Sequence, residues 1–120
     1  MKVTYKQIVS SIESLGKLSK KELPMREAIA LARLIKKLNG ELEVFNDKQR
    51  ELFKKYGTED ESGGFKIEKE CQADFSKEFD ELLNVEIDID AEKAVIEKEI
   101  DVEAAIIIDT ENFVEFKTVK

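Results

Sequence analysis

Six acidic residues near the C-terminus have a spacing that could bring carboxylates together on one surface. They occupy every second position in two segments, VEIDID and EKEID: Glu86, Asp88, Asp90, Glu97, Glu99 and Asp101. Alternate residues of a β-strand project from the same face about 7 Å apart. A face of this kind could bind Mg²⁺ or Ca²⁺, pair with the basic surface of another protein, or imitate the phosphate spacing of nucleic acid.

A simpler explanation of the same pattern is the solvated side of a small sheet, which is polar whenever the other side is buried. The segment lacks the glycine-bearing spacing of a calcium loop, so we predict no metal and no cofactor. The chain has no histidine, the commonest general base, and its one cysteine, Cys71, cannot form an intrachain disulfide. We therefore predict a protein that is not an enzyme, with a metal-dependent hydrolase as the remote alternative.

Two-residue periodicity in this region predicts β structure. Val85 to Ile89 and Ala94 to Val102 read as two short strands of a C-terminal hairpin. The apolar run Ala104 to Ile108 could be a short helix capped by Asp101 or a third strand, and the tail around Phe113 to Phe116 could be a final strand.

The first half of the chain has helical periodicity instead. Thr4 and Gln7 form the pattern of a capping box ahead of a short N-terminal helix. Pro24 then suits the first turn of a long helix, predicted over about 24–56, with Asn39-Gly40 as a point where it could kink and Gly57 as a left-handed stop.

One apolar face runs along this long helix, and we call it the seam. Its residues follow one another at steps of three and four, apart from one seven-residue step across Gln49: Leu31, Ile35, Leu38, Leu42, Phe45, Leu52 and Tyr56. A helix of this length needs a packing partner, either a later segment or another chain. The simplest is an antiparallel helix predicted over about 69–84, which would cover the C-terminal half. The sequence thus predicts a mainly helical α+β domain spanning residues 1–120.

Charge divides this domain. Residues 1–57 carry 13 Lys/Arg and 7 Asp/Glu, a net charge of +6, whereas residues 58–120 carry 7 and 20, a net charge of −13. The acidic part comprises a loop with glycines, 58–68, followed by residues 69–120. The two parts could neutralise each other, or the acidic face could await a basic partner. Most cations of the long helix fall off the seam, as on any solvated face, so we do not expect nucleic-acid binding.

The order of these features resembles a family of small uncharacterised acidic proteins of tailed phages and prophages of low-GC Gram-positive bacteria. The matching stretches are ELFKKYGTEDESGG (51–64) and FSKEFDELLNVEIDID (75–90). The resemblance implies a phage origin and a part that is not enzymatic, located in the host cytoplasm or the virion. It supplies no functional residues. The N-terminus lacks a signal-peptide core, and no apolar run is long enough to span a bilayer.

These observations predict a protein that works through protein–protein contacts. In one version it is a structural or assembly component of the virion that self-associates through the seam. In the alternative it inhibits a host protein, using the acidic face against a basic cleft.

Overall fold

A computed structural model describes residues 1–97 and 102–116 of the chain. Within these ranges the protein is a mainly helical α+β domain, which confirms the predicted class. The helices are α1 (Tyr5–Ser19), α2 (Met25–Tyr56), α3 (Lys69–Leu83) and α4 (Ala104–Asp109). The strands are β1 (Lys2–Thr4), β2 (Gly57–Glu59), β3 (Phe65–Ile67), β4 (Glu86–Asp88), β5 (Ala94–Ile96) and β6 (Val114–Phe116).

The capping box at the start of α1 is confirmed. The Thr4 hydroxyl accepts from the backbone N–H of Gln7 at 3.2 Å, and the Gln7 side-chain oxygen accepts from the N–H of Thr4 at 2.8 Å. These bonds satisfy two backbone donors that the helix itself leaves unpaired. The helix continues through Gly16 and ends at Ser19.

Helix α2 sets the length of the molecule. Its 32 residues span about 48 Å at 1.5 Å per residue, and the domain measures 52 × 29 × 23 Å. It begins directly after Pro24 and runs through Asn39 and Gly40 without interruption.

The glycine that follows α2 has a different role from the one predicted. Gly57 has φ −112°, so it is extended and not left-handed. A Cβ at this position would lie 2.6 Å from the carbonyl oxygen of Phe53. Glycine is therefore needed at position 57, because strand β2 begins in close contact with the last turn of α2.

The seam closes within the chain. Leu31 and Leu38 are completely buried, and Phe45 is nearly so. The remaining seam residues are half-buried: Ile35, Leu42, Leu52 and Tyr56. Helix α1 and strand β5 pack on α2, and α3 packs on its C-terminal half. The sequence pattern missed Leu34, which is buried because α2 is covered from more than one side.

A row of contacts between aromatic rings holds α3 antiparallel to α2, as predicted. Phe45 meets Phe79 with ring centroids 6.2 Å apart, and Phe53 meets Phe75 at 5.2 Å. Phe53 also stacks on Phe65 of β3 at 5.7 Å. Contacts at these distances and angles contribute roughly 0.5–1.5 kcal/mol each beyond area burial.

The predicted C-terminal hairpin is wrong. Strand β4 pairs antiparallel with β1, placing Val3 opposite Ile87, and β5 pairs in parallel with β6. Each pairing joins distant parts of the chain and buries the apolar side of the strands against the helices, whereas an isolated two-stranded hairpin is at best marginally stable. Helix α4 lies in the crossover between β5 and β6. Its N-cap is Glu103 and not the predicted Asp101. Asp101 itself lies outside the described residues.

Candidate acidic interface

Strand β4 carries the acidic alternation as predicted. Glu86 and Asp88 are exposed, whereas Ile87 between them is half-buried against the core and Ile89 is buried. Asp90 follows on the exposed side. The pairing with β1 thus places these carboxylates in solvent because it commits the intervening isoleucines to the interior.

The N-terminus anchors the segment that follows β4. The Met1 ammonium donates to the carbonyl oxygens of Ile89 at 2.6 Å and Ala91 at 3.3 Å, and lies 3.4 Å from Oδ1 of Asp88. The backbone N–H of Ile89 donates in return to the Met1 carbonyl at 2.8 Å. Four contacts to one residue fix the backbone of this segment.

Three carboxylates line a shallow cavity on this anchored segment. The cavity has a volume of about 360 Å³ and is bounded by Met1, Asp88, Ile89, Asp90, Ala91 and Glu92. We call residues 88–92 the acidic loop. Glu92 was not among the predicted residues, although it continues the two-residue spacing of the acids before it.

The other predicted acids do not join this surface. Glu97 directly follows β5, which belongs to a different sheet, and its backbone N–H donates to Oε1 of Glu27 in the first turn of α2 at 3.1 Å. Glu99 and Asp101 lie outside the described residues. Of the six acids predicted to form one face, the structure brings together Glu86, Asp88 and Asp90, because the two segments are not strands of one hairpin.

Little of the acidic charge is neutralised within the described part of the chain. Two ion pairs there join the basic and acidic parts, Lys55 to Glu78 at 3.1 Å and the Met1 ammonium to Asp88. Lys37 reaches the acidic loop, but its ammonium donates to the backbone carbonyl of Asp90. The carboxylates of Asp90 and Glu92 form no ion pair with any described residue.

Residues 1–97 and 102–116 contain no cluster of three or more Cys, Asp or Glu side chains that could hold a metal ion. Across the same ranges, none of the helices combines the length and the apolar character needed to cross a membrane.

No protein-family model, curated protein or solved structure matches this chain.

Proposed function

We propose that this chain acts without catalysis, as a phage accessory protein that binds a basic surface of another protein through its acidic loop. The observation that carries the proposal is the set of three carboxylates, Asp88, Asp90 and Glu92, around one cavity on a backbone held by the N-terminus. A lysine or arginine side chain of the partner would enter this cavity and form charge-assisted hydrogen bonds.

The anchored backbone favours such a contact. The loop loses little conformational freedom on binding because the Met1 ammonium already holds the carbonyls of Ile89 and Ala91. The surrounding part of the chain, residues 58–120, carries a net charge of −13 and would accelerate the approach of a basic partner.

This geometry favours an inhibitor or modulator of a host protein, acting in the host cytoplasm. A virion assembly component is the second candidate. The seam offers this candidate little surface, because Leu31, Leu38 and Phe45 are buried and Ile35 and Leu42 pack against the same core. An exposed face of α2 offers a different surface for self-association of such a component.

The test compares two charge-reversed variants of equal net charge. Asp90→Lys with Glu92→Lys alters the acidic loop, and Glu59→Lys with Glu61→Lys alters exposed acids at the β2–β3 turn. The wild-type protein captures its partner from a lysate of a low-GC Gram-positive host, and the purified partner is then titrated calorimetrically with all three proteins.

We expect a stoichiometric complex that weakens as salt rises to about 0.5 M, where exposed charges are largely screened. The loop variant should bind at least about tenfold more weakly, which corresponds to about 1.4 kcal/mol, and the turn variant about as well as the wild type. Equal affinity of the two variants would overturn the proposal.

A further inference from the structure

A second surface of the molecule is an apolar groove on α2, separate from the acidic loop. The groove has a volume of about 540 Å³, and these residues line it: Ser19, Ala32, Ile35, Lys36, Asn39, Gly40 and Glu43. Met25 and Ile29 extend the same helix face toward its N-terminus, with exposed fractions of 75% and 43%. None of these residues borders the cavity of the acidic loop.

Gly40 lies in this groove without a role inside the chain. It is in the interior of an unbroken helix, where glycine is less favourable than alanine, and it does not end α2. A Cβ placed on it would meet no atom within 4 Å. No close contact within the described chain requires this glycine, and the open space above it leaves room for an external backbone to approach α2 closely.

The charges beside Gly40 indicate what that external element is. Lys36 and Glu43 lie on one face of α2, seven residues or two turns apart, and neither pairs with any other described residue. A two-fold axis passing between Asn39 and Gly40 would bring Lys36 of one chain opposite Glu43 of a second copy. The same axis would bring Glu43 of the first opposite Lys36 of the second. The groove is thus complementary in charge to itself.

We infer that a second copy of this chain docks on the groove, with the two α2 helices crossing in antiparallel orientation at Asn39-Gly40. The crossing buries Ala32 and the part of Ile35 that the fold leaves exposed, brings the two glycines into contact and forms two symmetric Lys36–Glu43 ion pairs. This inference goes beyond the acidic loop and its basic partner, and neither proposal depends on the other.

Sedimentation of the full chain over a concentration series tests the inference. We expect the mass to rise from 13.8 kDa toward twice that value. Gly40→Gln should abolish this rise while keeping or raising the melting temperature of the dilute protein, because glutamine is a better helix former and its bulk blocks the crossing. Ala73→Gln, at an exposed small residue of α3, is the matched control and should leave the mass unchanged.

Reversing the charge of Lys36 in one variant and of Glu43 in another tests whether the dimer is two-fold symmetric. Lys36→Glu alone and Glu43→Lys alone should each weaken the dimer at least tenfold, since each places like charges together. An equimolar mixture of the two variants should restore association, because every Glu then faces a Lys. A wild-type chain that stays monomeric at all concentrations would overturn the inference. So would a dimer that Gly40→Gln leaves intact, or a mixture no more associated than its components.

Discussion

Ser11 donates a hydrogen bond of 2.6 Å from its hydroxyl to the backbone carbonyl oxygen of Asp109, across 98 positions of sequence. Ser14, one turn further along α1, donates to Oδ2 of the same aspartate at 3.0 Å. Both serines are buried. Helix α4 is thereby fixed on α1 by polar contacts at its last residue, in addition to the apolar contact of Ile106 with the core.

Ser11→Ala should lower the free energy of unfolding by about 1 kcal/mol, because it removes the bond that the buried Ser11 hydroxyl donates to the Asp109 carbonyl. Ser10→Ala is the matched control, since Ser10 is exposed in the same turn of α1. It should change stability by less than about 0.5 kcal/mol. Urea titration followed by circular dichroism measures both, and equal effects would show that the Ser11 bond does not contribute.

Local features of the helical half could be predicted from the sequence, and long-range pairings could not. The α1 capping box depends on Thr4 and Gln7, which are neighbours, and α2 on periodicity within one segment. The partner of β4 could not be predicted, because the alternation around Ile87 is the same whichever strand pairs with it. The pairing is determined by Val3, more than eighty residues away.

The acidic site was predicted in part for the same reason. Alternation correctly placed Asp88 and Asp90 on the exposed side of the chain. Nothing local to these residues indicates that the Met1 ammonium would hold the loop. Nor does anything local indicate that Glu97 would lie beside Glu27, directly after a strand of another sheet.

Leu38→Asp tests the packing of the seam. Leu38 is completely buried, so the variant loses its apolar contacts and buries an unpaired carboxylate. We expect a loss of about 4 kcal/mol or failure to fold. Asn46→Asp introduces the same side chain at an exposed position of α2 and should change stability by less than about 0.5 kcal/mol. Thermal melts of both variants provide the measurement; similar melting temperatures would contradict the burial of Leu38.

Gly57→Ala tests the close approach of strand β2 to α2. The added Cβ would lie 2.6 Å from the Phe53 carbonyl oxygen, so the backbone must shift, at a cost of about 1–3 kcal/mol. Gly16→Ala, in the interior of α1 with no atom near its Cβ, should instead stabilise the protein by up to about 1 kcal/mol. Opposite signs in denaturant titrations are expected. A stabilising Gly57→Ala would mean that this glycine is not required for the contact.

Replacing Glu78 tests the contact between α2 and α3, because the contribution of its carboxyl to stability depends on pH. The Tyr56 hydroxyl, and after it the Lys55 ammonium, hold the pKa of the Glu78 carboxyl below its ordinary value. A carboxyl whose pKa is lowered by folding stabilises the protein above its unfolded pKa, near 4.3 for glutamate, and loses that contribution as pH falls through the folded pKa. Glu78→Gln should therefore melt below the wild type at pH 7, and the difference should shrink as the pH falls below the unfolded pKa and through the lowered folded one.

Glu81→Gln is the control for this measurement, because Glu81 is exposed on the same helix and forms no ion pair with another described residue. Its difference from the wild type should be small at every pH. The Glu78→Gln difference should also fall in high salt, since the Lys55–Glu78 pair is partly exposed and therefore screened. A Glu78→Gln difference that is the same at pH 7 and pH 2.5 would place its origin in packing and not in the ionised carboxylate.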